Sequence, residues 1–167
     1  MKNFSILLIA ISIVALQLTA CKKGLSQSDY LECRINGKKW RAYSGDFKHS
    51  AIRGIMFNNG KTVVVTGSNE LFEDISVSFL SIENQIKVGI YKLFVRSGEG
   101  GKGSYSKPIE GKNFTTLEGY EGELNIKLID KEKRIISGTF YFNAIDEKSN
   151  ETVTITDGKF QIMYQNQ

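Results

Sequence analysis

The only histidine of the chain, His49, is the first residue to examine for chemistry. It lies in the polar stretch SGDFKHS, close to Ser44, Asp46 and Ser50, and these are the residue types of a serine hydrolase. A triad needs an acid that orients the base and a base that activates the nucleophile, and residues this close in one loop rarely reach that geometry. The sequence also lacks a G-x-S-x-G nucleophile elbow. The stretch therefore predicts a solvated loop.

A glycine-rich run, SGEGGKGSY over residues 97–105, suggests a phosphate-binding loop. That loop needs the pattern G-x-x-x-x-G-K-[ST] between a strand and a helix, so that backbone N–H groups face the phosphates. Here Gly101-Lys102 is followed by Gly103, and Arg96 stands where the first glycine belongs. The run predicts a flexible loop instead, which at the rim of a sheet could close over a ligand.

Metal and acid–base chemistry have few candidates. One histidine and one spare cysteine do not make a zinc site without several carboxylates, and no calcium-loop pattern is present. We expect no metal, no cofactor and no enzymatic activity. A glycan-acting enzyme is kept as an alternative, because its paired carboxylates are defined in space and not along the chain.

Aromatic side chains are the remaining candidates for contact with a ligand. They can stack on sugar rings or form a protein interface, because they combine an apolar body with a polar tip. We predict ligand contacts at Tyr91, Lys102, Tyr105 and Tyr141. The alternative for each tyrosine is a cross-strand pair that steadies a sheet.

The elements that must position these residues are strands. Ile136, Gly138 and Phe140 alternate with Ser137 and Thr139, and the same period of two recurs along the chain. Asn36-Gly37, Asn59-Gly60 and Asp157-Gly158 are each flanked by strand-like runs and suit type I′ hairpin turns. The pattern predicts about nine to eleven short strands in an antiparallel β-sandwich or partly open barrel, within one domain over residues 30–167.

The N-terminus has the pattern of a secretory signal peptide over residues 1–20. Lys2 precedes an apolar run that ends at Leu18-Thr19-Ala20-Cys21. The run is shorter than the roughly 20 apolar residues of a membrane span. Residues 21–29 then predict a short polar tether.

The LTAC stretch resembles the lipobox of bacterial lipoproteins. That resemblance implies cleavage before Cys21 and acylation of this cysteine, which would tether the mature protein to a membrane. Lys22 and Lys23 follow, which resembles sorting to the outer membrane. The expected location is its periplasmic face, with the cell surface as the alternative.

Charge and cysteine content exclude other classes. The chain carries 22 basic and 18 acidic residues, scattered without a basic stripe, so nucleic-acid binding is not expected. Once Cys21 is acylated, Cys33 is the only thiol, and its alternation with Leu31 and Ile35 places it on the apolar side of a strand.

Four further segments carry a family resemblance in their order and spacing. They are CRINGKKWRA (33–42), GIYKL (89–93), RIISGTFYFNA (134–144) and VTITDGKF (153–160). Together they resemble a family of small Bacteroidota lipoproteins catalogued as a domain of unknown function. The resemblance implies an exported, lipid-anchored, all-β domain and supplies no site residues. We expect a non-catalytic binding module for a glycan or small ligand, or a structural partner of envelope proteins.

Overall fold

A computed structural model describes residues 29–43, 51–96 and 98–167. The predictions for the signal peptide, Cys21, most of the tether and the His49 stretch lie outside the described residues. The described elements are β1 (Tyr30–Ile35), β2 (Lys38–Arg41), β3 (Ile52–Phe57), β4 (Thr62–Ser68), β5 (Asp74–Leu80), β6 (Gly89–Lys92), β7 (Val95–Arg96), β8 (Glu99–Lys107), a 3-10 helix (Pro108–Glu110), β9 (Lys112–Thr115), β10 (Gly122–Asp130), β11 (Ile135–Asp146) and β12 (Glu151–Asn166).

The strands form one mixed sheet, which confirms the all-β prediction. Its order is β2-β1-β12-β3-β4-β5-β8-β9-β11-β10-β6, and β12 also pairs with β11. This additional pairing closes a ring of seven strands, β12-β3-β4-β5-β8-β9-β11, so the sheet is continuous. The β12–β3 pair is parallel and departs from the predicted antiparallel pattern, because β3 joins the last strand of the chain and not a sequence neighbour.

The core fills the interior of this ring. Side chains alternate along β11, where Ile136, Phe140 and Phe142 are buried while Tyr141 is exposed. The alternation of apolar and polar residues therefore identified correctly which face of this strand is buried. The Phe140 ring stacks near Phe142 and is tilted against Phe160, with ring centroids 6.2 and 6.4 Å apart.

Two strands are much longer than predicted. β11 has 12 residues and β12 has 16, and each has two neighbours along one flank. β11 pairs with β10 along most of its length and reaches β9 near its end, while β12 pairs with β1 and then with β3. β11 and β12 therefore each link two neighbouring strands of the sheet. Long strands that bend from one layer into another do the same in other β proteins.

The hairpin predicted at Asp157-Gly158 is wrong. The two residues lie inside β12, where the pairing register shifts between Phe140 and Phe142 of the neighbouring strand. Asp157 has φ 53°, a conformation that Asp adopts more readily than most residues. Here this conformation belongs to a β-bulge and not to a hairpin turn. A Cβ on Gly158 would lie 2.5 Å from the carbonyl oxygen of Phe140, which explains the glycine. The prediction holds at Asn36-Gly37, where both φ values are positive, 48° and 81°, between β1 and β2.

The glycine-rich run is also not a flexible loop. Residues 99–105 belong to β8, which pairs with β5 on one side and β9 on the other. A Cβ on Gly101 would lie 2.6 Å from the carbonyl oxygen of Lys92, and one on Gly103 would lie 2.7 Å from the Phe142 ring. Gly101 and Gly103 are therefore required by close packing across the interior.

Gly103→Ala tests this packing. We expect the free energy of unfolding to fall by about 1–3 kcal/mol, because the added methyl meets a fully buried ring. This cost exceeds the gain of about 0.4–1 kcal/mol from a less flexible unfolded chain. Urea unfolding measures it, and Lys102→Ala in the same strand is the exposed control. A Gly103→Ala variant as stable as the wild type would restore the loop interpretation.

Among the described residues, no helix is long and apolar enough to cross a membrane.

Candidate functional site

A hollow of about 380 Å³ opens at one end of the ring. Its walls come from four places in the sequence: β1 and β2 with their turn, Glu73 in the turn before β5, β8 with β9, and the start of β12. The lining residues are Ile35, Asn36, Lys38, Lys39, Trp40, Glu73, Tyr105, Lys107, Lys112, Phe114, Glu151, Thr152 and Val153. Its volume falls within the usual range of small-ligand sites, about 300–1,000 Å³. We call it the aromatic–lysine hollow.

Three aromatic side chains form the inner wall of this hollow. Trp40, Tyr105 and Phe114 are all buried, and the Tyr105 and Phe114 rings stack with centroids 5.7 Å apart. Trp40 lies on β2, the edge strand next to β1. Tyr105 and Phe114 are paired across β8 and β9. The Trp40 indole Nε1 is buried and has no hydrogen-bond partner among the described residues. A buried donor left in this state is costly.

Tyr105 is tied to the rim by its hydroxyl. The O–H donates to Glu73 Oε1 over 2.8 Å, and Asn69 Nδ2 donates to Glu73 Oε2 over 2.8 Å. Burial raises the pKa of Tyr105, and the bond to the Glu73 carboxylate raises it further. The phenol is therefore protonated at neutral pH and acts as a donor.

Lysines dominate the rim, and those on one side are paired. Lys107 bonds to Glu110 and lies 3.9 Å from Glu73, while Lys112 bonds to Glu151 over 2.7 Å and lies 3.8 Å from Glu110. The bond from Lys107 lowers the pKa of Glu110. Glu110 is therefore held ionised by its lysine neighbours, which suits fixed charge and not a carboxyl acid at neutral pH.

The lysines on the other side are free of such pairing. Lys38 and Lys39 on β2 are exposed and have no ion pair among the described residues. The lining therefore carries four lysines against two carboxylates, Glu73 and Glu151. The hollow offers positive charge beside an aromatic wall.

The four predicted ligand-contact residues do not come together. Tyr105 lines the aromatic–lysine hollow and is buried. Tyr91 is half-buried against Phe79, with ring centroids 4.5 Å apart, and its hydroxyl bonds to the backbone of Lys87. Tyr141 is exposed on β11, where its bond to Glu123 raises its pKa. Of the four, only Tyr105 lines the aromatic–lysine hollow.

Lys102 lines a second hollow, of about 270 Å³, beside the β11–β12 hairpin. The buried Asp146 in this hollow accepts the backbone N–H groups of Lys148, over 2.9 Å, and Asn113, over 3.3 Å. These bonds lower the pKa of Asp146. The Asp146 carboxylate stabilises the β11–β12 hairpin, so its presence in this second hollow has a structural reason and does not indicate a ligand site.

Sequence reasoning missed most of the lining. Lys38, Lys39 and Trp40 form a consecutive basic–aromatic triplet just after the Asn36-Gly37 turn, and this triplet was the available signal. Lys107, Lys112 and Glu151 carry no such signal, because only the β8–β9 and β11–β12 hairpins bring them together. No cluster of three or more potential metal ligands occurs in the described part of the chain.

The fold defines an all-β protein that is built on one mixed sheet. The chain belongs to the family described as Domain of unknown function (DUF6252), whose model matches residues 28–163. This confirms the resemblance to a domain of unknown function, whereas the lipobox and the Bacteroidota origin stay predictions. No curated protein and no solved structure matches the chain significantly.

Proposed function

We propose that this protein is a lipid-anchored, exported and non-catalytic binding module. Its ligand is a small anion with an apolar or ring-shaped face, such as an acidic sugar, and it occupies the aromatic–lysine hollow. One observation carries the proposal: buried Trp40, Tyr105 and Phe114 line the same hollow as the unpaired Lys38 and Lys39.

The chemistry of the hollow fits such a ligand. A binding site is usually an apolar concavity with a few placed polar groups, and Trp40, Tyr105 and Phe114 supply the apolar part of this lining. Lys38 and Lys39 supply charge for a carboxylate, sulfate or phosphate group.

A non-catalytic role is supported by how the acidic groups are used. Glu110 and Glu151 are each bonded to a lysine, and Glu73 accepts the Tyr105 hydroxyl. General acid–base catalysis works best with a group whose pKa lies near the working pH, and the pKa of Glu110 is lowered, away from neutrality. Binding accounts for this arrangement without a reaction.

The proposed location follows from Cys21 and the residues after it. An acylated Cys21 holds the module on the periplasmic face of the outer membrane, and Lys22 and Lys23 agree with sorting to that membrane.

A thermal-shift screen of acidic sugars and small anions tests the ligand. The protein is the soluble Cys21→Ser form without residues 1–20. A ligand at about 100 times its Kd should stabilise the fold by about 2.7 kcal/mol, which raises Tm by roughly 4 °C or more for a chain of this size. The double variant Lys38→Gln/Lys39→Gln should lose this shift while keeping its own Tm.

The matched control is Lys131→Gln/Lys133→Gln, which removes two exposed lysines far from the hollow and should keep the shift. A ligand shift that persists without Lys38 and Lys39 places binding elsewhere and contradicts the proposed site. An absence of any shift across the panel contradicts the ligand class.

A second candidate function, as a structural partner in the envelope, is favoured by one other observation. Leu71, Phe72 and Ile109 are 69, 67 and 78% exposed. They lie on adjacent turns, because Asp74 pairs with Ser106 where β5 leaves one turn and β8 enters the other. Exposed apolar tips of this kind are typical of protein contacts. Retention of a specific envelope protein that is lost in Leu71→Ser/Phe72→Ser, together with a silent ligand screen, would favour this role.

A further inference from the structure

The point where the chain enters the fold lies far from the aromatic–lysine hollow. Asp29, the first described residue, accepts the backbone N–H of Met163 over 2.9 Å through its carboxylate. It follows Cys21 by eight residues, which span about 28 Å at most when fully extended. An anchor at Cys21 therefore keeps Asp29 within about 28 Å of the bilayer.

Backbone hydrogen bonds show which other segments lie at this end. Tyr164 N donates to Arg134 O over 2.7 Å, and Gln167 N donates to Met56 O over 3.0 Å, just before the 58–61 turn. The 81–88 loop covers that turn through Ile86 N to Gly60 O, over 2.8 Å. We call Asp29 and residues 58–61, 81–88, 127–134 and 163–167 the entry end.

The entry end carries more basic than acidic side chains, and most of the basic ones form no ion pair with a described residue. Its segments contain six basic and four acidic side chains; the basic ones are Lys61, Lys87, Lys127, Lys131, Lys133 and Arg134. Among the described residues, one of these six side chains forms an ion pair: Lys133 lies 4.0 Å from Asp130. At the opposite end, Lys107 and Lys112 are paired with three glutamates, while Lys38 and Lys39 are unpaired among the described residues. Positive charge is therefore available at the end nearest the anchor.

Exposed apolar side chains accompany this charge. Ile82, Val88, Leu128 and Met163 are 55, 62, 45 and 46% exposed. Val88 and Leu128 are close together, because β6 begins beside Ile126 of β10. Apolar side chains surrounded by lysines suit the boundary between lipid headgroups and acyl chains.

We propose that the entry end lies on the surface of a bilayer that contains anionic lipids. The proposal rests on the anchoring of Cys21 described above. Lysines at this end bind the headgroups, while Val88, Leu128 and their apolar neighbours reach the interface. The aromatic–lysine hollow then points away from the membrane, toward ligands in solution.

The test uses the full lipidated chain in phosphatidylcholine vesicles with or without phosphatidylglycerol. An environment-sensitive fluorophore is attached at Val88→Cys, or at Ile109→Cys on the opposite end. Cys33 is buried, so it does not compete for the label. We expect a blue shift and quenching by lipid-bound quenchers at position 88 in anionic vesicles, and neither at position 109.

Charge is tested in the same vesicles. Lys131→Gln/Lys133→Gln and added salt should reduce the quenching at position 88, because salt screens headgroup attraction. Lys38→Gln/Lys39→Gln is the matched control and should leave it unchanged.

The outcomes separate this proposal from the ones on which it rests. An anchored chain whose label at position 88 stays in water, or whose label at position 109 is the one quenched, overturns the membrane-facing surface alone. Quenching that is equal in neutral vesicles and insensitive to Lys131 and Lys133 overturns the role of charge. A wild-type chain that is not held by vesicles contradicts the anchor and this orientation together, whereas ligand binding in the hollow would be unaffected.

Discussion

Phe142→Ala is expected to lower the free energy of unfolding by about 3–5 kcal/mol. Phe142 is fully buried, and its ring occupies the space that Gly103 leaves open on the facing strand. It also stacks near Phe140, with ring centroids 6.2 Å apart. The truncation removes apolar area from the centre of a closed ring, where hydrogen-bonded strands on all sides limit collapse into the cavity.

Urea unfolding of the soluble form, followed by fluorescence or circular dichroism, measures this loss. Tyr141→Ala is the matched control, since Tyr141 is the next residue in β11 but is 48% exposed. It should cost less than about 1 kcal/mol, the scale of one cross-strand contact. Equal losses in the two variants would show that β11 does not have the inner and outer faces described above.

Cys21→Ala is expected to move the protein from the membrane fraction to the soluble fraction. Burial of acyl chains is worth about 0.8 kcal/mol per CH₂ group, and two or more chains give stable anchoring. The loss should therefore be nearly complete, and fractionation of cells after a carbonate wash measures it.

Cys33→Ala is the matched control for this experiment. Burial, together with the nearby charge of Glu32, raises the pKa of the Cys33 thiol to about 12. The thiol is therefore protonated at neutral pH and is a poor nucleophile. Cys33→Ala should stay in the membrane fraction even if its stability falls. Membrane retention of Cys21→Ala would contradict the lipobox prediction.

Much of the fold could be predicted from local patterns. The alternation of Ile136, Phe140 and Phe142 with polar neighbours identifies β11, because side chains point to opposite faces along a strand. Asn36-Gly37 identifies the first hairpin, because both residues adopt positive φ. The same reasoning failed at Asp157-Gly158, where positive φ serves a bulge. Conformational preference alone does not distinguish a turn from a bulge.

The candidate site was predicted less well, for a different reason. Tyr105 was among the expected ligand contacts and does line the hollow, but Tyr91 and Tyr141 use their side chains in local packing and hydrogen bonds. Nothing in the sequence indicates that Trp40 and Phe114 line the same hollow. They are 74 residues apart, and no periodicity relates them.

The sequence by itself determined the strand content, the dry face of most strands, the first turn and the N-terminal pattern around Cys21. Each depends on the conformational or transfer preference of a few neighbouring residues. The tertiary structure alone decided the closure of the ring, the parallel β12–β3 pair, the strand role of the 99–105 glycines and the grouping of Trp40 with Tyr105 and Lys112. These depend on which distant strands pair, and such pairing is selected by packing of the whole core and not by any short segment.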